Sequence, residues 1–471
     1  MGARTDGPAP EFPRRLAAAL TGTPDTPLVL LGNFEVEQQW ARGEHTLPRF
    51  SAAASSAVVN HMDQFALLLA GGGDHVVLKA RPDEDYLGYL AGLGLGLPRI
   101  HVVARQEPDR TVTEDALADP ALLAALAGPA ADGARLTAHG VCELEERLAD
   151  RAGLPLAAPS AAVCKAVNSK VYSRRIADEL GLRQPRGRAC ETLAELAAAF
   201  EAAVAGPRPS VVKEAFGVSG KGIARLAGQR RAARILGVVA QQAERAGGDR
   251  VAFVVEEWVD KRADLNYQFT VDRGGAVRFD FVKEQLTEDG VHKGHKMPPD
   301  LTTAQLDELA RTGELLGKRL AADGYFGVVG VDAMVDPDGG LYPVVEINAR
   351  HNMSTYQVRL EEHLVAPGRV AVACHYPLRL DRPLPFAEIR ALLGNLLLDR
   401  PGGRGLLVNN HATVNAAFSA ADNPAAGNPA ADTPVEGRLY GILVADSAAE
   451  LKAIDAEITV RLDGRSQGSR P

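Results

Sequence analysis

The sequence predicts a chain of mixed class, with an α/β region followed by α+β regions. Two observations lead to this prediction. Before about residue 155, short β-like runs alternate with helical stretches, which is typical of a small parallel α/β domain. Beyond about residue 205, apolar runs come in pairs that short turns join, which indicates antiparallel hairpins. The chain has 471 residues, more than one hydrophobic core normally organises, so several domains are expected.

The first part of the chain begins with a polar, proline-rich stretch. We expect residues 1–25 to form a flexible arm with one short helix and residues 26–155 to form the parallel α/β domain. The β-like runs are PLVLLGNF, HVVLKA, RIHVVA and ARLTAHG, and the helical stretches include YLGYLAGLGL, DPALLAALA and VCELEERLAD. No GxGxxG motif follows a strand in this region, which disfavours a dinucleotide-dependent enzyme.

A glycine-rich hairpin follows a helical region at residues 160–205. In SVVKEAFGVSGKGIARLA, residues 210–227, two short strands enclose a loop whose three glycines let backbone N–H groups approach a polyphosphate. Lys213 on the entering strand can supply the point charge that a phosphate needs. The loop returns into a strand and lacks the Walker A pattern, so it is either a nucleotide flap or a simple flexible hairpin.

An acidic hairpin at residues 324–352 carries the strongest chemical signal. Its turn, DPDGG, lies between two apolar runs, and a turn centred on its first glycine makes Asp332 and Glu346 cross-strand partners. Because side chains alternate along a strand, Glu346, Asn348 and Arg350 share one face. Two opposed carboxylates need a neutralising charge, and hard oxygen ligands of this kind suit Mg²⁺. The alternative is an ordinary solvated hairpin face.

A basic segment, EDGVHKGHKMPPDL, is expected to form a loop beside this acidic hairpin. It contains His292, Lys293, His295 and Lys296. These side chains either handle an anion at the site or belong to a solvated basic loop.

The last part of the chain is expected to form a separate small unit. Residues 355–375 read as helical, and residues 376–471 as an α+β unit with a mobile tract at 418–436. In that unit we expect a helix, the strand GLLVNNHATVN, the mobile tract, the strand RLYGILVAD, the helix SAAELKAIDAEI and a short last strand.

Composition excludes several classes of function. The net charge of −8 and the pI near 5.8 argue against a nucleic-acid partner. No uninterrupted apolar run reaches the ~18 residues that a membrane span needs, and the apolar run near residue 20 is too short for us to expect a signal peptide. The four cysteines show no CxxC spacing, which indicates reduced thiols and a cytoplasmic protein.

Taken together, these motifs resemble the ATP-grasp ligases. Lys170, Lys213 with the flap GVSGKG, the strand VVEEWV, and Asp332 with EINAR occur in the order and approximate spacing of that superfamily. The resemblance implies an ATP-grasp fold at residues 156–375, in which two α+β subdomains clamp ATP, between the parallel α/β domain and the C-terminal unit. Within the superfamily, the layout of the whole chain most resembles the pheganomycin-type peptide ligases of actinobacterial natural-product biosynthesis.

The resemblance also implies a role for each motif residue. Lys170 and Lys213 would bind phosphate, and Arg350 would stabilise an acyl phosphate or an oxyanion. The flap, residues 214–222, would cover the phosphates through Gly217, Ser219, Gly220 and Gly222. Adenine and ribose would be held by Glu256, Glu257, Val259 and Asp264, where the family often has Glu in place of Asp264. Two Mg²⁺ ions, with Mn²⁺ as a substitute, would be held by Asp332, Glu346 and Asn348.

The activity implied by the resemblance is ATP-dependent ligation of a carboxylate to an amine, with release of ADP and phosphate. The carboxylate becomes an acyl phosphate, and a small amine such as an amino acid or peptide displaces the phosphate. His292 or His295 is a candidate for accepting the proton of the amine. The alternatives are an ATP-grasp kinase and a nucleotide-binding protein without catalysis. A homodimer is left open.

Overall fold

The structure is a computed structural model that describes residues 11–48, 56–217, 222–288, 291–421 and 434–467. Within these ranges, no helix is both long and apolar enough to cross a membrane. The helices are α1 (Glu11–Thr21), α2 (Val36–Trp40), α3 (Ser56–Asn60), α4 (Ala66–Leu69), α5 (Glu84–Gly92), α6 (Val112–Leu117), α7 (Pro120–Ala131), α8 (Glu143–Ala152), α9 (Ala161–Val167), α10 (Lys170–Glu179), α11 (Leu193–Ala205), α12 (Gln229–Arg245), α13 (Thr303–Ala322), α14 (Thr355–Leu364), α15 (Phe386–Leu393), α16 (Ala416–Ala421) and α17 (Ala448–Gln467).

The strands form three sheets. They are β1 (Leu28–Leu31), β2 (His75–Leu78), β3 (Arg99–Val102), β4 (Arg135–Ala138), β5 (Gly187–Thr192), β6 (Ser210–Glu214), β7 (Ile223–Arg225), β8 (Arg250–Glu257), β9 (Ala263–Val271), β10 (Val277–Glu288), β11 (Val291–Met297), β12 (Gly327–Val335), β13 (Leu341–Asn348), β14 (Val370–Leu380), β15 (Gly405–Asn410) and β16 (Val435–Ala445).

The N-terminal domain contains a parallel sheet with the strand order β3-β2-β1-β4, which confirms the prediction of a parallel α/β domain. β1 and β2 are buried along their whole length, as their continuous apolar sequences require. The carboxyl ends of parallel strands meet at one edge of a sheet. At that edge Asn33 Nδ2 donates to Gly140 O at 2.8 Å and joins the loops after β1 and β4.

Helix α1 differs from the predicted flexible arm. Its apolar face packs into the core, with Phe12, Leu16 and Leu20 at most 3% exposed. The N–H of Phe12 also donates to Glu362 Oε2 on α14 at 2.9 Å. The short helix expected in this arm is thus present as α1, but it is packed rather than flexible over residues 11–21. The polar composition of the stretch masked its short amphipathic face. Residues 1–10 lie outside the described ranges.

A small antiparallel sheet with the order β5-β8-β6-β7 forms the next layer. α11 and α12 cover it, and Phe253, Ile235 and Leu196 are buried between them. Strand β5 was not predicted, because GRACET is polar, short and exposed along much of its length. This sheet carries Lys213 on β6.

The large sheet has eight strands in the order β13-β12-β9-β10-β11-β14-β16-β15. Its strand β9 alternates between apolar and polar side chains, and the neighbouring β12 is apolar apart from Asp332. Tyr267, Phe269 and Val331 are fully buried in the core that also contains residues of α13. The register pairs Asp332 with Glu346, which confirms the sequence prediction for this hairpin. The polar face of the sheet is therefore the face that carries both carboxylates.

Two segments differ from the predicted secondary structure. The basic segment predicted as a loop contains β11, which pairs with β10 and β14. The region 355–375, predicted as helical, contains α14 and then enters β14, whose small residues resemble a helical composition. β14 crosses the expected domain boundary at residue 375, and β14, β15 and β16 continue the large sheet. The C-terminal unit thus shares its sheet with the preceding domain.

The end of the chain also differs from the prediction. Helix α17 runs without interruption from Ala448 to Gln467, where a helix and a short last strand were expected. The predicted mobile tract at 418–436 falls mostly on residues 422–433, which lie outside the described ranges. Its two ends are the described parts of α16 and β16.

Candidate active site

The site is organised around Asp332, whose carboxyl group receives three amide donors. Asn266 Nδ2 and Gln285 Nε2 donate to Oδ1 at 3.0 and 2.6 Å, and Asn348 Nδ2 donates to Oδ2 at 3.3 Å. Burial and the neighbouring charge of Glu346 raise the pKa of Asp332 to about 6. The sequence analysis missed Asn266 and Gln285, although both occupy polar positions in alternating strands, which is the signal that could have identified them.

These groups fit a divalent cation. Burial and, second, the charge of Glu346 on the neighbouring strand raise the pKa of Asp332, so a positive charge between the two carboxylates would be stabilising. Asn266 Oδ1 is buried and has no hydrogen-bond partner among the described residues. No group of three or more His, Cys, Asp or Glu side chains arranged for a metal occurs in the described ranges. A cation would therefore depend on Asp332, Glu346 and Asn348, a ligand set that suits Mg²⁺.

Lys170 links the acidic hairpin to the base of the flap. It is the first residue of α10, where Ser169 caps the helix by accepting from the N–H of Val171 at 3.2 Å. The Lys170 Nζ lies 2.6 Å from Glu346 Oε1 and 3.0 Å from Gly217 O. Its side chain is only 6% exposed, so this charge is fixed in the site.

Lys213 lies in the same cleft, on β6. Its Nζ is 2.5 Å from Glu256 Oε1, and Glu256 Oε2 is 3.7 Å from Arg174 Nη1. Arg174 was not identified from the sequence; it also donates to the carbonyls of Pro185 and Gly187 at 2.7 and 2.8 Å. The cleft is lined by Lys170, Arg174, Gln184, Pro185, Lys213, Val254, Glu256, Val344 and Val345.

Only the two ends of the flap can be placed. Gly217 accepts from Lys170, and Gly222 has φ +78°, where a Cβ would approach Glu214 Oε2 to 2.6 Å. Glycine is therefore required at Gly222. Ser219 and Gly220 lie outside the described residues, and the predicted flap over the phosphates remains a prediction.

The residues expected to contact adenine and ribose lie at the ends of β8 and β9. Glu256 faces Lys213, while the N–H of Glu257 donates to Arg186 O at 2.8 Å. Val259 follows β8 and is partly exposed. Asp264 Oδ2 lies 2.5 Å from Lys261 Nζ on the polar face of the large sheet. Their nucleotide contacts remain predictions.

Arg350 is held by the N-terminal domain rather than left free. Its Nε lies 2.6 Å from Glu37 Oε1, and Nη2 also contacts that oxygen. Nη2 donates to Asn348 Oδ1 at 3.1 Å, and Nη1 donates to His351 O at 3.0 Å. Glu37 was missed in the sequence analysis; its place just beyond β1, at the carboxyl edge of the parallel sheet, is the signal that could have found it.

The two histidines proposed as proton acceptors are placed unequally. His295 is 7% exposed and pairs with Gln285 across β10 and β11, so it lies on the same face as the amide that binds Asp332. The side chain of His292 is outside what the structure describes. The catalytic role of both residues stays a prediction.

Comparison with known proteins places this geometry in context. Residues 62–154 match the family described as the Pre ATP-grasp domain. The chain is 27% identical over 330 residues to the [Butirosin acyl-carrier protein]–L-glutamate ligase of Niallia circulans, covering 68% of this chain and 71% of that protein.

Solved structures share the fold over nearly the whole chain. The ADP complex of N5-carboxyaminoimidazole ribonucleotide synthetase has a TM-score of 0.51 at 13% identity, covering 94% of this chain and 98% of that one. Biotin carboxylase from Campylobacter jejuni, in a β-γ-ATP complex, has a TM-score of 0.50 at 15% identity, covering 88% and 95%. The chain therefore has the ATP-grasp fold of these structures, and the region that matches the Pre ATP-grasp domain precedes the strands that carry the acidic hairpin.

Proposed function

We propose that the protein is an ATP-dependent ligase that activates a carboxylate as an acyl phosphate and joins it to an amine, releasing ADP and phosphate. The observation that carries the proposal is the convergence of Lys170, Glu346 and Asp332. Lys170, one of the two lysines expected to bind phosphate, has its Nζ 2.6 Å from Glu346 Oε1. It lines the same cleft as Lys213. This arrangement suits a polyphosphate bound with a divalent cation.

The residues of the chain can support both steps. Lys213 and Lys170 would orient the phosphates of ATP, and Arg350 would face the oxygens that gain negative charge. Asp332, Glu346 and Asn348 would hold Mg²⁺, which supplies positive charge to the transferred phosphoryl group. Fixed cations of this kind stabilise developing charge because they require little reorganisation during the reaction.

The ligase relative supports this activity over other ATP-grasp chemistries. Its name describes the ligation of L-glutamate to an acyl-carrier protein. By analogy, the carboxylate here would belong to an amino acid or peptide, with an amine on a small molecule or a carrier as the partner. Peptide-bond formation and a place in natural-product biosynthesis, in the cytoplasm, are the finer proposals.

The acyl-phosphate route can be tested by following oxygen. A carboxylate oxygen attacks the γ-phosphorus and ADP leaves; the amine then attacks the carbonyl carbon, and phosphate leaves with that oxygen. With an ¹⁸O-labelled carboxylate, the released phosphate should therefore contain one labelled oxygen. Glu346→Gln is the matched control and should give neither amide nor labelled phosphate. Amide formed with unlabelled phosphate would exclude the mechanism, and a phosphorylated product without phosphate release would favour a kinase.

A further inference from the structure

Buried polar atoms without partners gather at one place, where the N-terminal domain meets the acidic hairpin. Ten side-chain N or O atoms in the described ranges are buried without a hydrogen-bond partner. Five of them belong to this place: Glu37 Oε2, Asn266 Oδ1, His351 Nδ1, Asn352 Nδ2 and Ser354 Oγ. An unpaired buried polar group costs free energy, so such a concentration indicates groups that await a ligand.

Direct contacts connect this cluster. Arg350 bridges Glu37 and Asn348, with Nη2 3.1 Å from Asn348 Oδ1. Asn348 pairs across the hairpin with Gly330. A Cβ at Gly330 would lie 2.3 Å from Asn352 Nδ2 and 3.6 Å from Asn266 Nδ2, so both amides lie over this glycine. The cluster therefore adjoins the carboxyl groups of the acidic hairpin.

Glu37 is the carboxylate that the N-terminal domain contributes to the cluster. Its Oε1 receives two donors from Arg350, while its buried Oε2 receives none among the described residues. Burial and the charge of Arg350 lower the pKa of His351 to about 4, so that ring is neutral and adds no positive charge. A buried carboxylate oxygen that lacks a donor is well matched by a cationic donor.

The other unpaired donors fit an oxygen ligand. Asn352 Nδ2 and Ser354 Oγ can each donate. Asn352 Nδ2 lies over Gly330 of the hairpin, and Ser354 directly precedes α14. A ligand with an ammonium group at one end and a carboxylate close to it would satisfy both sets. An α-amino acid has this arrangement.

We propose that the carboxylate substrate is an α-amino acid whose free ammonium group binds Glu37 Oε2, with its carboxylate directed to the acidic hairpin beside Arg350. This inference rests on the proposed function and specifies the substrate class. Glu37 is then a binding residue of the N-terminal domain that selects against acids without an amino group.

Equilibrium binding tests the proposal without turnover. The twenty amino acids of proteins are titrated separately into the full chain with Mg²⁺ and a non-hydrolysable ATP analogue. Each is compared with the acid that has hydrogen in place of the amino group. At least one amino acid should bind, and its deamino acid should bind about 30-fold or more weakly, since removing one partner of a buried charged pair has an effect of this size.

Variants of Glu37 test whether this residue distinguishes amino acids from the corresponding deamino acids. Glu37→Gln should lower the affinity for the amino acid about 30-fold or more while changing that of the deamino acid little, so the preference disappears. Glu37→Asp keeps the charge and should retain most of the preference. Glu44 lies in the same domain as Glu37 and forms a partly exposed ion pair with Lys165. Glu44→Gln is the matched control and should leave the preference for the amino acid unchanged.

The proposal is overturned if no amino acid binds the unaltered protein, if the deamino acids bind as tightly, or if Glu37→Gln keeps the full preference. If Glu37→Gln fails to fold, the comparison of amino and deamino acids on the unaltered protein still decides. Labelled phosphate obtained from an acid without an amino group would leave the ligase function intact and reject only this substrate class.

Discussion

Lys213 and Glu256 form an ion pair in the nucleotide cleft, with Nζ and Oε1 2.5 Å apart and both side chains about 10% exposed. The lysine predicted to bind phosphate thus has a carboxylate partner within the protein. Arg174 Nη1 lies 3.7 Å from the other oxygen of Glu256. It can balance the negative charge of Glu256 when Lys213 binds a phosphate instead. The pair therefore holds the lysine in position rather than blocking it.

Lys213→Ala should impair every ATP-dependent step. Loss of one preorganised donor typically lowers the rate about 10²- to 10³-fold. The change in folding stability should be smaller than for an unpaired buried charge, because Arg174 remains near Glu256. Steady-state ADP release at varied ATP measures the effect. Lys318→Ala, which removes a surface pair with Glu314, is the control; equal activity in both variants would remove Lys213 from the nucleotide site.

Glu346→Gln should abolish Mg²⁺-dependent turnover and leave the fold nearly unchanged. Two effects on stability oppose each other: the repulsion with Asp332 is relieved, but the ion pair with Lys170 is lost. A buried charge that loses its partner typically costs about 3 to 5 kcal/mol, so the partly offset net loss of unfolding free energy should stay below that range. Chemical denaturation and turnover at varied Mg²⁺ measure both. Near-normal turnover would mean that the metal site lies elsewhere.

Asp332 should make the metal-free protein less stable as pH rises from about 4 to about 7. Its pKa is raised to about 6, so the folded protein keeps a proton that the unfolded chain has already released. As pH rises over that range, the unfolding free energy of Asp332→Asn should increase by roughly 1 to 3 kcal/mol relative to that of the unaltered protein. The measurement is urea denaturation with a chelator present. A pH-independent difference would contradict the raised pKa.

The sequence was sufficient where short-range patterns decide the structure, as for Asp332 and Glu346. A turn signal and a two-residue period set their register, and the structure has that register. It was not sufficient for Glu37 and Arg350, which are 313 positions apart and meet only when two domains pack. The composition of β14 suggested a helix, but the segment is a strand that pairs with β11 and β16. Pairing with neighbouring strands determines the structure of such a segment more than its intrinsic helix propensity does.

The contact between Arg350 and Glu37 determines how the role of Arg350 must be tested. Arg350→Met alone would leave Glu37 buried without its charge partner, which typically costs about 3 to 5 kcal/mol of stability. A loss of activity in that variant would therefore not separate catalysis from folding. The double variant Glu37→Gln, Arg350→Met removes both charges and should recover most of the stability.

Amide formation in these variants then isolates the contribution of Arg350. At saturating carboxylate, Glu37→Gln should retain turnover, because Arg350 keeps its contacts with Asn348 and His351. The stable double variant should still bind the ATP analogue but form amide about 10²- to 10³-fold more slowly. Thermal unfolding, nucleotide titration and product formation are measured on all three variants. If the double variant forms amide as fast as Glu37→Gln, Arg350 acts only in joining the two domains, since stability would then account for the entire effect of the single substitution.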